Sequence, residues 1–491
     1  MMSAPPNTRA LKLSYGNRSF ILFKRKLHSA CLKDIKSAIA IQTALDVNDK
    51  LILRQEESEK DKDYEELRRL KSYSIYGDHF FKIEGDPHPE IPCASANVGI
   101  VMERSGPKII AKNDVKPGTV LAIEEAVSIE CSKLNSLHSC YYCTKMSITL
   151  IPCDNCCSVL FCDTECKRLS LSEGHSVECE FMDVVDEMLS GPMPKLVFKT
   201  VLKMRMKAKS WEEFIETSRC LGRERVRKST ITEIFDGSNV NSLLCFNDNR
   251  LFMYGAMFNT CFPCATLIHY LDTVANFFPT GVDEKREAML AVARVMMFLI
   301  LNGVHTNINP IVTIASTGTT VFAQAPNFGW YAFIGKLRHA CVPNMLQLNL
   351  NRRMVLIAAQ PIKAGDALTI NFLGINVDTK LATMNTTEMF TLYGLVCNCV
   401  ECCGKDTSQK KYAINEETKR KLQKLNFGDI IQNYKAEDAL RVYPVLLEIM
   451  TILRDFPHSD EYNTAQTMIC KCLLTFGDYE CQNVVLDEHV K

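Results

Sequence analysis

The chain has 491 residues, of which 47% are hydrophobic and 23% are charged, and this ordinary composition excludes disorder as the default. Lysine and arginine together number 57, and aspartate and glutamate also number 57, so the formal net charge is zero. Nucleic-acid-binding proteins usually carry a basic excess or a basic stripe, so this balance argues against that class. At about 150 residues per domain, the length suggests roughly three domains.

The sequence carries no signal for export or for membrane insertion. No apolar run reaches the roughly 18 uncharged residues of a membrane helix, and the first residues lack the features of a secretory signal. We therefore expect a monomeric protein of the cytoplasm and/or the nucleus, without membrane contact. Its 23 cysteines would stay reduced there, and clustered cysteines in such proteins more often bind metal than form disulfides.

The first 80 residues are predicted to be helical. Apolar and small residues between Tyr15 and Ala38 resemble one tetratricopeptide repeat, a hairpin of two helices. A single repeat cannot bury its own apolar face, because such arrays need about three repeats for stability. The hairpin is therefore expected to dock on another part of the chain. A charged, solvated helix is predicted from Glu56 to Lys71.

Short strands are predicted in two separate places. Apolar, β-branched runs flank the Pro117-Gly118 turn inside residues 95–135. Residues 362–372 repeat the order of strand, turn and strand, with Gly365 in the turn.

Four pairs of potential metal ligands lie between residues 140 and 179. Gaps of two or three residues let both side chains of a pair reach one ion. Structural zinc takes four such ligands, so eight make two sites, and metal binding would supply the folding energy of so short a segment. Spacing alone leaves the pairing open. The ligands are Cys140, Cys143, Cys153, Cys156, Cys162, Cys166, His175 and Cys179.

This pattern resembles the MYND zinc finger, with every ligand type in place. The resemblance implies an interleaved arrangement and a protein-binding role. One ion would be held by Cys140, Cys143, Cys162 and Cys166, and the other by Cys153, Cys156, His175 and Cys179.

A further cysteine group is split between two distant segments. Residues 397–402 supply three thiolates, one short of a tetrahedron, and residues 338–344 contain another cysteine. These segments resemble the His-Ser-Cys-x-Pro-Asn motif and the post-SET cysteines of SET methyltransferases. That resemblance implies a third zinc ion bound by Cys341, Cys397, Cys399 and Cys402.

The joint order of these motifs is similar to that of the SET-and-MYND protein-lysine methyltransferases, in the branch with tetratricopeptide-like helices. The implied fold is α+β and multidomain: a split, β-rich SET domain with an inserted MYND zinc finger, a helical insert, a post-SET zinc site and a C-terminal helical domain. The expected boundaries are residues 1–80 for the N-terminal helices, 95–135 for the first part of SET, 140–179 for the finger, 181–305 for the insert, 306–375 for the SET core, 390–404 for the post-SET segment and 410–491 for the C-terminal helices.

The resemblance also implies a cofactor, S-adenosylmethionine, and assigns residues to it. The hydroxyl of Tyr393 would orient the substrate amine, and the ring of Phe372 would line the lysine channel, so both are assigned to catalysis. The residues expected to contact the cofactor are Ser105, Gly106, Pro107, Asn307, Arg338, His339 and Tyr393. For Asn307, a turn asparagine before Pro310 is an equal alternative.

The sequence departs from the family pattern at four positions. Lys108 replaces a glycine of the opening turn, Arg338 an asparagine, Ala340 a serine, and Phe372 a tyrosine. Losing a hydrogen bond to a charged group costs about 1.5–3 kcal/mol, roughly a ten- to hundredfold effect.

Three functional hypotheses follow. The first is a lysine methyltransferase acting on histone or non-histone protein. The second is a catalytically weak adaptor that binds protein partners through the finger and the helical segments, and the four departures favour it. The third, a zinc-finger protein that recognises DNA sequence directly, is disfavoured by the zero net charge and the MYND-type ligand order.

The split third site leads to a metal-content prediction. We expect elemental analysis of the purified chain to return about three zinc ions, because each ion takes four ligands. A content of two or fewer would contradict the assignment of the third site.

Overall fold

The structure is a computed structural model, and it describes a defined part of the chain. The described residues are 4, 6–41, 50–60, 81–103, 106–131, 136–137, 139–145, 147–156, 158–188, 192–246, 254–302, 305–308, 312–314, 320–322, 327–340, 342–350, 352–371, 413–435, 438–457 and 459–476. Within them, no helix combines the length and the apolarity needed to cross a membrane.

Helices and strands occupy successive blocks of the chain, so the mixed α and β organisation predicted from the sequence is confirmed. The helices are α1 Arg9–Lys24, α2 His28–Ala40, α3 at residues 50–60, α4 Thr164–Ser170, α5 Ser176–Glu178, α6 Met182–Met188, α7 Pro192–Lys207, α8 Trp211–Arg219, α9 Gly222–Lys228, α10 Ile231–Phe235, α11 Tyr254–Thr273, α12 Val282–Asn302, α13 Glu416–Lys424, α14 Phe427–Asn433, α15 Ala439–Ile452 and α16 Asp460–Phe476. A π-helical turn covers Leu171–His175, and 3₁₀ turns cover Cys179–Phe181, Val240–Cys245 and Ile334–Lys336.

The strands are short and belong to several small sheets. They are β1 Val98–Glu103, β2 Gly106–Ala111, β3 Val120–Glu125, β4 Ser128–Glu130, β5 Ile151–Pro152, β6 Leu160–Phe161, β7 His305–Ile308, β8 Val312–Ile314, β9 Thr320–Phe322, β10 Asn327–Trp330, β11 Arg338–His339, β12 Met345–Leu350, β13 Arg353–Ala358 and β14 Thr369–Ile370. Antiparallel pairing gives the sheets β1-β2, β4-β10-β7, β12-β13-β3, β5-β6 and β8-β9, whereas β11 and β14 pair in parallel.

The N-terminal hairpin of α1 and α2 has a small core of its own. The hydroxyl of Thr8 caps α1 by accepting from the Leu11 amide at 3.4 Å. Tyr15, Cys31 and Ile35 are buried where the two helices meet. The hairpin does not stand alone, because Ile148 and Ile151 pack against this core. Both belong to residues 140–179, here called the cysteine-rich segment.

The C-terminal helices cover one face of the sheet β12-β13-β3. Buried residues of α15 and α16 share a core with Leu346 and Val355 of that sheet. The hydroxyl of Tyr462, in α16, lies 3.1 Å from the side-chain oxygen of Gln360. Helices α6, α7, α8, α11 and α12 pack elsewhere, in a core shared with the cysteine-rich segment. Helices α9 and α10 instead join the core of strands β1 to β3.

A buried carboxylate and a buried ammonium fix the segment that leads into β11. Glu124 of β3 accepts the amides of Phe333 and Ile334 at 2.8 and 2.9 Å. Nζ of Lys336 donates to the carbonyls of Ala332 and Ser242 at 2.6 and 3.2 Å. Burial raises the pKa of Glu124 to about 7 and lowers the pKa of Lys336 to about 8.

Removing this ammonium should destabilise the fold strongly. We expect Lys336→Ala to lower the unfolding free energy by about 3–5 kcal/mol, because it leaves buried carbonyls unpaired and Glu124 without its counter-charge. Chemical denaturation would measure the change. Lys419→Ala, at a half-exposed lysine paired with Glu416, is the control, with a change within about 0.5 kcal/mol. Equal stabilities for the two variants would contradict this role for Lys336.

Candidate functional site

One group of four cysteine sulfurs meets at the first turn of the cysteine-rich segment. The Sγ atoms of Cys140, Cys143, Cys162 and Cys166 all lie within 4.8 Å of one another. Sγ of Cys162 is 3.6 Å from that of Cys143 and 3.4 Å from that of Cys166. The first turn closes at Thr144, which has a positive φ of 58° and donates its amide to the Cys140 carbonyl.

The second group contains three cysteines and one histidine. Ligand atoms of Cys153, Cys156, His175 and Cys179 also lie within 4.8 Å of one another. Sγ of Cys153 is 3.7 Å from that of Cys179, and Sγ of Cys156 is 3.6 Å from Nε2 of His175. The two groups are the interleaved sets that the family resemblance implied.

The donor chemistry of both groups fits zinc. Contact with Cys143 lowers the pKa of Cys140, while contact with Cys140 raises the pKa of Cys162, because four crowded sulfurs cannot all ionise without a cation. Zn²⁺ takes four thiolate or imidazole ligands and would hold all of them deprotonated.

Glu178 links the second group to the first. Its Oε1 lies 3.0 Å from Nδ1 of His175 and 2.6 Å from the hydroxyl of Tyr141, which stands between Cys140 and Cys143. A carboxylate that accepts from Nδ1–H leaves Nε2 free for a metal and fixes the ring orientation. Glu178 is 2% exposed, so this contact is shielded from solvent.

Three cations attach the cysteine-rich segment to the neighbouring helix and strands. Nζ of Lys199 donates to the Tyr141 carbonyl at 2.9 Å and lies 3.7 Å from the centre of that ring. Arg352 donates to the carbonyl of Tyr142 at 2.9 Å and to that of Ala126 at 3.0 Å. Nζ of Lys203 pairs with Glu173 of the segment at 2.9 Å and donates to the carbonyl of Val127 at 2.8 Å.

A second candidate site forms where three distant segments meet. The amide of Leu368 donates to the Ile109 carbonyl of β2 at 2.9 Å, and that of Ala340 to the Ile370 carbonyl of β14 at 3.0 Å. The side chain of Asn344 donates to a backbone carbonyl in the same strand region at 2.8 Å and accepts a backbone amide there, also at 2.8 Å. These contacts place β2, β11 and β14 side by side.

The surface of this second site carries an ion pair. Arg338 of β11 contacts Glu103 at 2.5 Å, and Lys108 lies 3.8 Å from the same carboxylate. Gly106, opposite Glu103 in the β1-β2 register, has a φ of +113° that a side chain would strain. Burial lowers the pKa of His339 to about 4, so the imidazole is neutral at physiological pH.

The structure describes only some of the residues assigned from the sequence. Gly106, Pro107, Arg338 and His339 lie together in the second site, whereas Asn307 lies in β7, opposite Phe328. Outside the described residues lie Ser105, Cys341, Phe372, Tyr393, Cys397, Cys399 and Cys402. The third zinc site and the catalytic assignments therefore stay predictions.

Several residues of these sites were not singled out from the sequence. Glu178 had a local signal, because it directly precedes the ligand Cys179 and follows His175 by three residues. No local signal in the sequence marks Glu103, Lys199 or Arg352, because each contacts its partner only through tertiary packing.

Comparison with known proteins relates the finger to a known family and part of the chain to methyltransferases. A model of the MYND finger matches residues 140–179. Protein-lysine N-methyltransferase SMYD4 of Pongo abelii is 23% identical over 236 residues, which cover 35% of this chain and 29% of that protein. The protein of the same name from Homo sapiens is 24% identical, with the same coverage. The finger therefore matches the MYND model, and part of the chain is similar to these SET-and-MYND proteins.

The match spans under a third of the length of these curated relatives. A solved structure, the SET domain of LSMT bound to lysine and AdoHcy, aligns with 81% of this chain and 92% of its own. Its sequence identity is 9% and its TM-score is 0.26, too low to establish a shared fold.

The close approach of the finger to α7 gives a testable prediction. Gly174, next to His175, has a φ of +138°, and a Cβ there would lie 2.8 Å from Cβ of Leu202. Gly365 also has a positive φ, +87°, but its Cβ would meet open space. We expect Gly174→Ala to destabilise the zinc-loaded chain by about 1–3 kcal/mol more than Gly365→Ala. Thermal unfolding would compare them, and equal midpoints would contradict the tight contact with α7.

Proposed function

We propose that the chain is an S-adenosylmethionine-dependent protein-lysine N-methyltransferase whose finger and helical segments bind protein partners. The observation that carries the proposal is the meeting of β2, β11 and β14. Three segments that resemble SET motifs, and that lie far apart in the sequence, are hydrogen-bonded into one site. A SET cofactor site requires this convergence.

The described residues of the site are compatible with the cofactor. S-adenosylmethionine carries a sulfonium, an ammonium and a carboxylate, so a site that binds it has to match both signs of charge. In the proposal, the carboxylate of Glu103 at the surface of this site would face the positive groups, and Arg338, which pairs with it, competes for that carboxylate. The backbone at Gly106 lacks a side chain that would block close approach.

The substrate lysine would have to arrive as the neutral amine, because an ammonium has no lone pair. Lysine has an unperturbed pKa of about 10.4, so a desolvating channel is needed to favour the neutral form. In the proposal, the ring of Phe372 lines that channel and the Tyr393 hydroxyl orients the nitrogen. The bound cofactor would supply an electrophilic methyl group, and most of the acceleration would come from alignment.

The alternative is an adaptor with weak or no activity. Arg338, Ala340, Phe372 and Lys108 replace residues that the family uses at the cofactor and the channel, whereas the zinc frame serves an enzyme and a scaffold equally. The finger would hold protein partners in either case. The third zinc ion, placed on Cys341 and residues 397–402, would close the C-terminal side of the cleft in both. Residence in the cytoplasm and/or the nucleus also belongs to the proposal.

Calorimetry of the zinc-loaded full chain with S-adenosylmethionine separates the two functions. Saturable binding followed by methyl transfer to a lysine-containing protein would support the enzyme. No binding at millimolar cofactor would contradict it and favour the adaptor.

Arg338 offers a sharper test of the cofactor site. We expect Arg338→Asn to tighten S-adenosylmethionine binding by roughly tenfold or more, because it removes a cation near the sulfonium and restores a compact hydrogen-bonding amide. The matched control is Arg441→Asn, which also breaks an ion pair, with Asp438, but lies in α15. An unchanged or weaker affinity in Arg338→Asn would contradict our assignment of this position.

A further inference from the structure

The finger contacts other parts of its own chain on two sides. One contact joins it to the hairpin of α1 and α2, and the other joins it to α7. Both contacts rest on backbone carbonyls of the finger that follow or precede zinc ligands by a few residues. This arrangement differs from that of a recognition module joined to the rest of a protein by a linker.

The contact with the N-terminal hairpin is centred on Arg18 of α1. Its guanidinium makes a two-pronged pair with Asp34 of α2, at 2.6 and 2.7 Å. A further nitrogen, Nη1, donates to the carbonyl of Leu150 in the finger at 3.0 Å. Asp34 is 1% exposed, so the guanidinium is held in place before it reaches the finger. Ile148 and Ile151 add apolar contact around this bond.

The contact with α7 is centred on Tyr141. Lys199 binds the carbonyl and the ring face of Tyr141, and its Nζ is 3.5 Å from Glu130 of β4. The Tyr141 hydroxyl donates to Glu178, which in turn contacts His175. A continuous path therefore runs from both zinc-ligand groups to α7 and to β4.

Metal binding, together with the apolar core that the finger shares with α7, would hold these carbonyls in place. Leu150 lies three residues before Cys153, and Tyr141 lies between Cys140 and Cys143. The two strands of the finger, β5 and β6, have two residues each, and that pairing is too short to fix the segment alone. Ligand binding supplies the folding energy of such segments.

We propose that the finger is a zinc-dependent joint, which holds the N-terminal hairpin and α7 on one scaffold through Arg18 and Lys199. The intramolecular partner of its Leu150 side is the hairpin itself. Any external protein partner of the finger must use another side or displace the hairpin.

Hydrogen exchange of the full chain, with zinc and after chelation, tests the joint. We expect zinc removal to speed exchange at least about tenfold in α1, α2 and α7, while α15 and α16, which pack on a different core, keep their protection. Unchanged protection of α1 and α2 after metal loss would overturn the proposal. Equal loss of protection in α15 and α16 would also overturn it, because the effect would then be global unfolding.

A substitution separates the hairpin contact from metal binding. Arg18→Lys keeps a charge beside Asp34 but loses the planar fork that reaches Leu150. We expect faster exchange in α1 and α2 of the zinc-loaded chain, with zinc content and α7 unchanged. The matched control is Arg168→Lys, at an exposed pair with Glu165 inside the finger, which should leave α1 and α2 unchanged. Identical exchange in the two variants would overturn the role of Arg18.

Discussion

The side chain of Asn344 holds the proposed catalytic region together. Its amide nitrogen donates to the Ala367 carbonyl, and its amide oxygen accepts both the backbone amide and the hydroxyl of Thr369. These bonds fix the turn after β11 to β14. Leu368, which directly precedes β14, bonds in turn to Ile109 of β2. An amide can satisfy a donor and an acceptor at once, which neither a carboxylate nor an apolar residue does. The placement of Arg338 and His339 beside the β1-β2 hairpin depends on this junction.

The finger contributes to the same scaffold by a different physical route. Its sulfurs are gathered at distances that suit zinc, and its own strands are minimal, so metal binding would add to the stability given by the core it shares with α7. In the proposed joint, the surrounding cations act on backbone carbonyls that would keep their positions only while zinc is bound. Lys199 and Arg352 therefore connect the metal chemistry of the finger to helix α7 and to the β-rich part of the chain.

The sequence predicts features that neighbouring residues encode, and it misses contacts between residues that are far apart in the chain. The ligand groups are encoded in gaps of two or three residues, and the strands around Gly118 and Gly365 in local composition, so both were accessible from the sequence. The hairpin had to dock on another part of the chain, but only the structure identifies the finger as that part. Glu103, Lys199 and Lys336 act on residues more than fifty positions away, and no periodicity or spacing encodes such partners.

The strength of the ion pair between Arg338 and Glu103 decides whether Arg338 would block the proposed cofactor site. The side chain of Arg338 is 43% exposed and that of its partner Glu103 is 36% exposed, so their ion pair is largely solvated. Exposed pairs of this kind contribute about 0.2–1 kcal/mol. That is less than the roughly 1.5–3 kcal/mol of one hydrogen bond to a charged group. A ligand that bonds either partner can therefore open the pair, and the nearby carboxylate reduces the repulsion between Arg338 and a sulfonium. On this balance Arg338 would weaken the proposed cofactor binding without preventing it, so a measured affinity, and not the presence of Arg338, decides between enzyme and adaptor.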